Sequence, residues 1–211
     1  DQYEAAINQG SSVPNARLNL GVIAFYAGDT TQAREWFVEE IRNCGPSGKA
    51  FSNLSMLARL KGDYNLAFAM ADSAIIYFPN FKEAYVNRIK AAIARKDSIA
   101  IRQAAADFRY RFPENQAARY YYGLYLMQAG KPDPAENEFK FVALAGSKDI
   151  VSEYDLSEIY SSALPYGYNP EKIRGRCFYQ LGLISARTEN IESALDYFRQ
   201  AVELLPNDAD A

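Results

Sequence analysis

Histidine is absent from the 211-residue sequence, and cysteine occurs only twice, as Cys44 and Cys177. Without histidine the chain lacks the side chain most often used as a general base and as a transition-metal ligand. Two cysteines so far apart in sequence indicate neither a disulfide framework nor a zinc site. We therefore expect a non-catalytic protein that holds no metal and no cofactor.

Basic clusters and long apolar runs are missing as well. The formal net charge is −3 and no run of lysine and arginine occurs, so nucleic acid is not expected as a partner. No apolar stretch approaches the roughly 20 residues that cross a bilayer. Apolar residues make up 49% of the chain and charged residues 23%, which is typical of a folded protein.

The sequence repeats itself over its length. The stretch ARLNLGVIAFYAGDTTQAREWF aligns with FYQLGLISARTENIESALDYF, which brings Gly21 over Gly182 and Phe37 over Phe198. Each stretch contains two helical segments joined by a short turn. Prolines such as Pro79 follow the second segment, because proline cannot continue a helix.

This pattern resembles the tetratricopeptide repeat, a 34-residue helix–turn–helix unit with small and large residues at set places. The resemblance predicts five repeats that together cover about four-fifths of the chain. We place them at residues 14–47, 48–81, 82–115, 116–149 and 175–208. The resemblance implies an all-α fold, a right-handed α-solenoid whose concave groove is lined by the first helix of each repeat.

The segments outside these repeats complete the predicted domain organisation. Residues 1–13 are expected to be the remnant of a preceding repeat helix, and residues 14–149 hold repeats one to four. Residues 150–174 form an irregular, tyrosine-rich insertion, although Pro170 is expected at the first position of a helix. Repeat five and a truncated end occupy residues 175–211. Since solenoids usually need a polar capping helix, we expect a fragment of a larger protein whose uncapped ends could self-associate.

One groove position returns as asparagine every 34 residues. Asn19, Asn53 and Asn87 occupy it, and Tyr121 follows in repeat four. A carboxamide can pair with both backbone groups of an extended peptide, and the column resembles the asparagine ladder of O-linked N-acetylglucosamine transferases. Asparagine is also the commonest residue at this place in the family, so a polar side chain on a solvated face is the alternative. Under either interpretation, replacing the three asparagines by alanine is expected to leave stability nearly unchanged.

The remaining groove positions carry more basic than acidic residues, which favours an acidic partner segment. The partner-binding residues predicted there are Lys49, Arg59, Lys90, Tyr120, Arg176 and Tyr179. Tyr166 and Tyr168 belong to the insertion, where no repeat core requires them. Because tyrosine is favoured at interfaces, these two are also predicted to contact a partner.

The leading hypothesis is a module that binds an extended segment of another protein. Two alternatives stay open: the repeat arm of a larger enzyme, such as a glycosyltransferase, or an architectural spacer in an envelope assembly. Leu18 and Val22 stand where some family members carry the lysine and asparagine that clamp chaperone C-termini, so that ligand is not expected. The stretch CGPSGKA at residues 44–50 lacks two residues of a phosphate loop and predicts a turn between helices.

Overall fold

The protein is described here by a computed structural model covering residues 15–145 and 170–205. Within these ranges the chain forms ten α-helices and no β-strand. The helices are α1 (Ala16–Tyr26), α2 (Thr30–Cys44), α3 (Gly48–Leu60), α4 (Tyr64–Tyr77), α5 (Lys82–Ala94), α6 (Ser98–Arg111), α7 (Gln116–Gln128), α8 (Pro132–Leu144), α9 (Pro170–Arg187) and α10 (Ile191–Leu204). The predicted all-α class of consecutive helix–turn–helix pairs is confirmed.

In four of the five repeats the second helix begins at a side-chain cap that the sequence repeats, whereas α8 of repeat four begins at Pro132 without such a cap. Asp29, Asp63 and Asp97 lie 34 residues apart and each accepts a hydrogen bond from the backbone N–H three residues on, at 2.8, 3.0 and 3.0 Å. Asn190 does the same for α10 at 3.2 Å. These caps satisfy a backbone donor that the first turn of a helix leaves unpaired.

The turn before each cap contains one residue in the left-handed backbone region. Its φ lies between 56° and 86° in all five repeats, at Gly28, Gly62, Lys96, Gly130 and Glu189. Glycine adopts this conformation without a steric penalty, which explains its presence in three of the turns. One left-handed residue thus occupies the turn of every one of the five helix pairs.

The helices divide into two compact units, which are described separately. The N-terminal unit holds residues 15–100, and its core joins consecutive repeats. Leu18 of α1 and Phe37 of α2 share one buried cluster with Leu54 and Leu57 of α3. Because α2 packs on α3 and α4 packs on α5, neither helix pair buries its apolar face alone.

The C-terminal unit holds residues 101–145 and 170–205. Helix α9 packs on α10, its partner within repeat five, and also on α7 and α8 of repeat four. Arg174 on α9 donates a hydrogen bond from Nε to the carbonyl of Ala143 at 2.9 Å. Repeat five therefore stacks directly on repeat four, although 25 residues separate their predicted bounds.

Helix α9 differs from the other first helices in length. It has 18 residues and begins at Pro170, whereas α3, α5 and α7 each have 13. The predicted helix start at Pro170 is confirmed. The predicted remnant at residues 1–13, most of the predicted insertion and the chain end after residue 205 lie outside the described residues. The proposed domain bounds and the self-association of the ends stay predictions.

Close helix packing depends on three glycines that each face a phenylalanine of the same repeat. A Cβ atom built on Gly21 would lie 2.4 Å from the Phe37 ring, and one on Gly123 would lie 2.6 Å from the Phe139 ring. In repeat five the corresponding distance from Gly182 to Phe198 is 2.6 Å. The small residue at each of these places therefore allows the two helices to approach, since these spacings are shorter than real Cβ contacts allow.

Candidate functional site

The first helices of the N-terminal unit, α1, α3 and α5, carry the asparagine column. The three side chains differ in exposure. Asn19 and Asn87 are half-buried, whereas Asn53 is only 3% exposed. The column is therefore not a row of equivalent, solvated carboxamides.

Asn87 is committed to a contact between neighbouring repeats. Its Nδ2 donates to Ser52 Oγ at 2.7 Å and to the Ser52 carbonyl at 3.2 Å, which links α5 to α3. Asn53 also has an interaction partner within the protein. Among the described residues, only the carboxamide of Asn19 in this column lacks a hydrogen-bond partner. The column thus contributes to repeat stacking and leaves one carboxamide available to a ligand.

Replacing Asn87 by alanine is expected to lower the free energy of unfolding by about 1 kcal/mol, because Ser52 loses its partner in a buried setting. The expectation of nearly unchanged stability is thus revised for this position. Asn19→Ala is the matched control and should change stability by less than about 0.5 kcal/mol. Urea unfolding followed by circular dichroism measures both values. Equal stabilities for the two variants would refute a structural role of the Asn87 contact.

Two cations on α3 lack ion-pair partners in the described part of the chain. Lys49 stands at the first turn of the helix and Arg59 at its last turn, and both are half-buried. Arg59 Nε is buried without an acceptor. Lys90 and Arg176, predicted alongside them, are already engaged within the protein. The uncommitted positive charge of the predicted face is therefore found on α3.

Exposed apolar side chains accompany Arg59. Tyr26 ends α1 and is 62% exposed, and Leu60 ends α3 and is 47% exposed. They lie 34 residues apart and so hold equivalent places in repeats one and two. A guanidinium next to an aliphatic side chain, with a tyrosine at the equivalent place of the neighbouring repeat, is a combination that protein interfaces favour.

The residues predicted in the C-terminal unit are mostly packed against its helices. Tyr120 is 8% exposed, with its ring centroid 5.3 Å from Tyr121 and 6.3 Å from Phe139. Tyr179 lies 5.8 Å from the Phe198 ring. Tyr120 thus belongs to the core, whereas Tyr121 and Tyr179 are half-buried. Tyr166 and Tyr168 lie outside the described residues, and their contact with a partner stays a prediction.

Two segments of the chain match family models described as tetratricopeptide repeat, residues 1–47 and residues 175–208. The chain contains tetratricopeptide repeats in these two segments. PilF of Pseudomonas aeruginosa is 13% identical with a TM-score of 0.73, and the match covers 99% of this chain and 83% of that one. Identity this low shows a shared fold. A comparison with curated protein sequences found no significant match.

Other solved structures of tetratricopeptide-repeat proteins share this fold. YrrB, a protein with an unusual peptide-binding site, is 16% identical with a TM-score of 0.64, covering 100% of this chain and 95% of that one. TTC0263 of Thermus thermophilus is 17% identical with a TM-score of 0.60, covering 94% of each chain. The predicted fold class, a helical-repeat solenoid, is thereby confirmed.

One groove residue, Ser52, has a structural role that the sequence pattern did not indicate. Ser52 is buried and accepts both hydrogen bonds from Asn87. The signal in the sequence is their separation of 35 residues, one more than the repeat length, which brings the side chains together on adjacent first helices. The predicted turn at CGPSGKA is confirmed, since α2 ends at Cys44 and α3 begins at Gly48.

No helix within residues 15–145 and 170–205 combines the length and the apolar character needed to cross a membrane. The described side chains also include no group of three or more histidine, cysteine, aspartate or glutamate residues that could hold a metal ion. The candidate site consists of the two α3 cations, the exposed apolar side chains of Tyr26 and Leu60, and the Asn19 carboxamide.

Proposed function

We propose that the face formed by α1, α3 and α5 binds an extended, acidic segment of a partner protein, and that the chain performs no catalysis itself. The observation that carries this proposal is that two cations on α3, Lys49 and Arg59, form no ion pair among the described residues, and that Arg59 directly precedes the exposed Leu60. Such a surface offers charge recognition and apolar burial to the same ligand.

The cations account for the acidic character of the proposed ligand. Burial makes an unpaired charge costly, so a half-buried guanidinium gains more from a carboxylate than an exposed one does. Arg59 has in addition a buried Nε that finds no acceptor among the described residues. A carboxylate that reaches Arg59 would meet a planar group suited to two parallel hydrogen bonds.

The apolar side chains account for the affinity. Tyr26 and Leu60 keep large exposed areas, and their burial by a ligand side chain removes apolar surface from water. A tyrosine at such a position also offers a hydroxyl to the rim of the interface. We expect the ligand to place an apolar residue between these two side chains and an acidic residue next to it.

Only one residue of the asparagine column is assigned to ligand binding in this proposal. Asn19 is the residue proposed to hydrogen-bond the ligand backbone, because its half-buried carboxamide has no hydrogen-bond partner in residues 15–145 and 170–205. Asn87 links α5 to α3, two of the helices that present the face. The peptide-binding site of the structurally similar protein YrrB supports recognition of peptides by this fold.

The proposal is tested with random twelve-residue peptides displayed on phage and selected on the intact chain. Peptides that combine acidic and apolar residues are expected to be enriched. Their dissociation constants should rise at least about tenfold with Lys49→Glu/Arg59→Glu, since two attractive charges become repulsive. The matched control is Arg34→Glu/Arg42→Glu, which makes the same charge change at exposed positions of α2 and should alter affinity less than about threefold.

Two results would contradict the proposal. One is a selection in which no enriched peptide binds the purified chain. The other is an equal loss of affinity in both double variants, which would assign binding to net charge alone. Circular dichroism of each variant confirms that the helices are retained.

A further inference from the structure

We propose that a second site of the N-terminal unit, a cleft between its two inter-repeat turns, binds a primary ammonium group carried on an apolar stem. The cleft has a volume of about 590 Å³ and lies where the turn between α2 and α3 meets the turn between α4 and α5. Its walls include Glu40, Cys44, Lys49, Tyr77, Phe78 and Phe81. This site shares Lys49 with the proposed peptide-binding face, and its other lining residues lie outside the residues proposed for that face.

Glu40 supplies the chemistry of the cleft. It is 2% exposed, and its Oε1 accepts a hydrogen bond from the backbone N–H of Asn15 at 2.7 Å. The other oxygen, Oε2, is buried and has no hydrogen-bond donor among the described residues. A buried carboxylate oxygen without a donor is costly, so a ligand that supplies one binds favourably there.

Glu40 forms no ion pair among the described residues, which favours a cationic ligand at its free oxygen over an anion or a neutral group. Lys49 lines the same cleft but forms no ion pair with Glu40, and Arg17 pairs instead with Glu39 at 3.7 Å. Within the described ranges, Glu40 therefore has no counterion of its own. An ionised carboxylate only accepts hydrogen bonds, and a charged donor forms the stronger bond with it.

The walls of the cleft fit an apolar stem. Tyr77 stacks on Phe51 with ring centroids 5.8 Å apart and an interplanar angle of 4°, which holds one aromatic wall in place. Phe78 and Phe81 come from the following turn. Aromatic faces attract ammonium groups as well as alkyl chains, and the volume lies in the range of small-ligand sites. A lysine side chain and the N-terminal residue of a peptide both have this chemistry.

Cys44 provides a direct readout because it lines the cleft and is half-buried. Its alkylation by iodoacetamide is followed by intact-mass spectrometry while hexylammonium chloride is added to the whole chain. Cys177 serves as the internal control: it is buried, and burial raises the pKa of its thiol well above the usual range, so it stays unmodified in the folded protein. Hexan-1-ol, which has the same stem without the charge, is the matched probe.

Hexylammonium is expected to protect Cys44 at a concentration at least about tenfold lower than hexan-1-ol. Glu40→Gln keeps an acceptor for Asn15 and should abolish this difference, whereas Glu39→Gln should preserve it. Lys49→Met should strengthen hexylammonium protection, since it removes a like charge from the cleft. This variant keeps Glu40 and therefore tests the proposal even if Glu40→Gln fails to fold. Nα-acetyl-lysinamide and leucinamide then distinguish the two sources, because only one of them should protect as well as hexylammonium.

Equal protection by hexylammonium and hexan-1-ol would overturn the proposal and leave an apolar cleft without charge recognition. Absence of protection by hexylammonium would overturn it as well. Protection that survives Glu40→Gln unchanged would show that Oε2 is not the acceptor and would equally contradict the assignment.

Discussion

Gly21→Ala is expected to lower the free energy of unfolding by about 2 kcal/mol, although alanine is the better helix former by up to about 1 kcal/mol. The added methyl group would stand 2.4 Å from Cε1 of Phe37. Phe37 is fully buried in a cluster with α1 and α3 residues and cannot turn away without displacing them. Overpacking therefore outweighs the gain in helix propensity. Chemical denaturation of the purified variant measures the net value.

Gly182→Ala is the matched comparison, because its partner Phe198 is only half-buried and has room to shift. We expect a smaller loss there, below about 1 kcal/mol. Combining Gly21→Ala with Phe37→Leu should restore at least about 1 kcal/mol relative to the sum of the single changes. Additive losses in that double variant would show that the two side chains do not collide.

Glu138→Ala is expected to cost about 2 kcal/mol, because it leaves two partly buried guanidinium groups without their shared carboxylate. Arg109 Nε donates to Glu138 at 3.0 and 3.1 Å, and Arg119 Nη1 donates to it at 3.1 Å. The side chains of Glu138 and Arg119 are both 13% exposed, so water screens this network only in part. Thermal and urea unfolding report the loss.

The control for this effect lies on the same helix. Glu136 pairs with Lys140 at 2.7 Å in a one-turn contact whose side chains are 32% and 42% exposed, so water screens this pair more than the Glu138 network. Glu136→Ala should cost less than about 0.5 kcal/mol, since exposed pairs of this kind contribute little. A loss for Glu138→Ala no larger than the loss for Glu136→Ala would contradict the buried character of the network.

Arg119 illustrates how far the repeat pattern predicts packing. The sequence places arginine where the family usually has an aromatic residue, which makes repeat four look imperfect. In the structure the guanidinium lies 3.5 Å from the centroid of the Phe141 ring and binds Glu138 and Glu114. A planar cation thus takes the place of an aromatic ring, because it can stack and pair at once. The pattern alone does not contain these partners.

The helical repeat could be predicted because its signals are local or periodic. Gly21 with Phe37 and Gly182 with Phe198 share one spacing, and the caps at Asp29 and Asp63 follow the same period. Each signal depends on a contact within one helix pair, so a single repeat length reveals it. The same reasoning did not predict that the three asparagines differ in burial, since their burial depends on how closely neighbouring first helices approach.

The sequence could not show which charged side chains lack partners, for a related reason. Lys49 and Arg59 were predicted as groove residues, but only the structure shows that they lack ion-pair partners among the described residues while Lys90 has a partner. Glu40 falls in the second helix of its repeat, where a glutamate normally faces water. Its burial follows from the packing of two inter-repeat turns that lie 30 residues or more apart in sequence.

The central claim is that the α1, α3 and α5 face holds an extended acidic segment, and chemical-shift mapping tests it most directly. The ¹⁵N-labelled chain is titrated with the tightest peptide from the phage selection, and backbone and side-chain amide signals are followed. We predict that the largest shifts fall on α1, α3 and α5 and include the Asn19 carboxamide. Shifts concentrated on α2 and α4, with the Asn19 signal unmoved, would contradict the account.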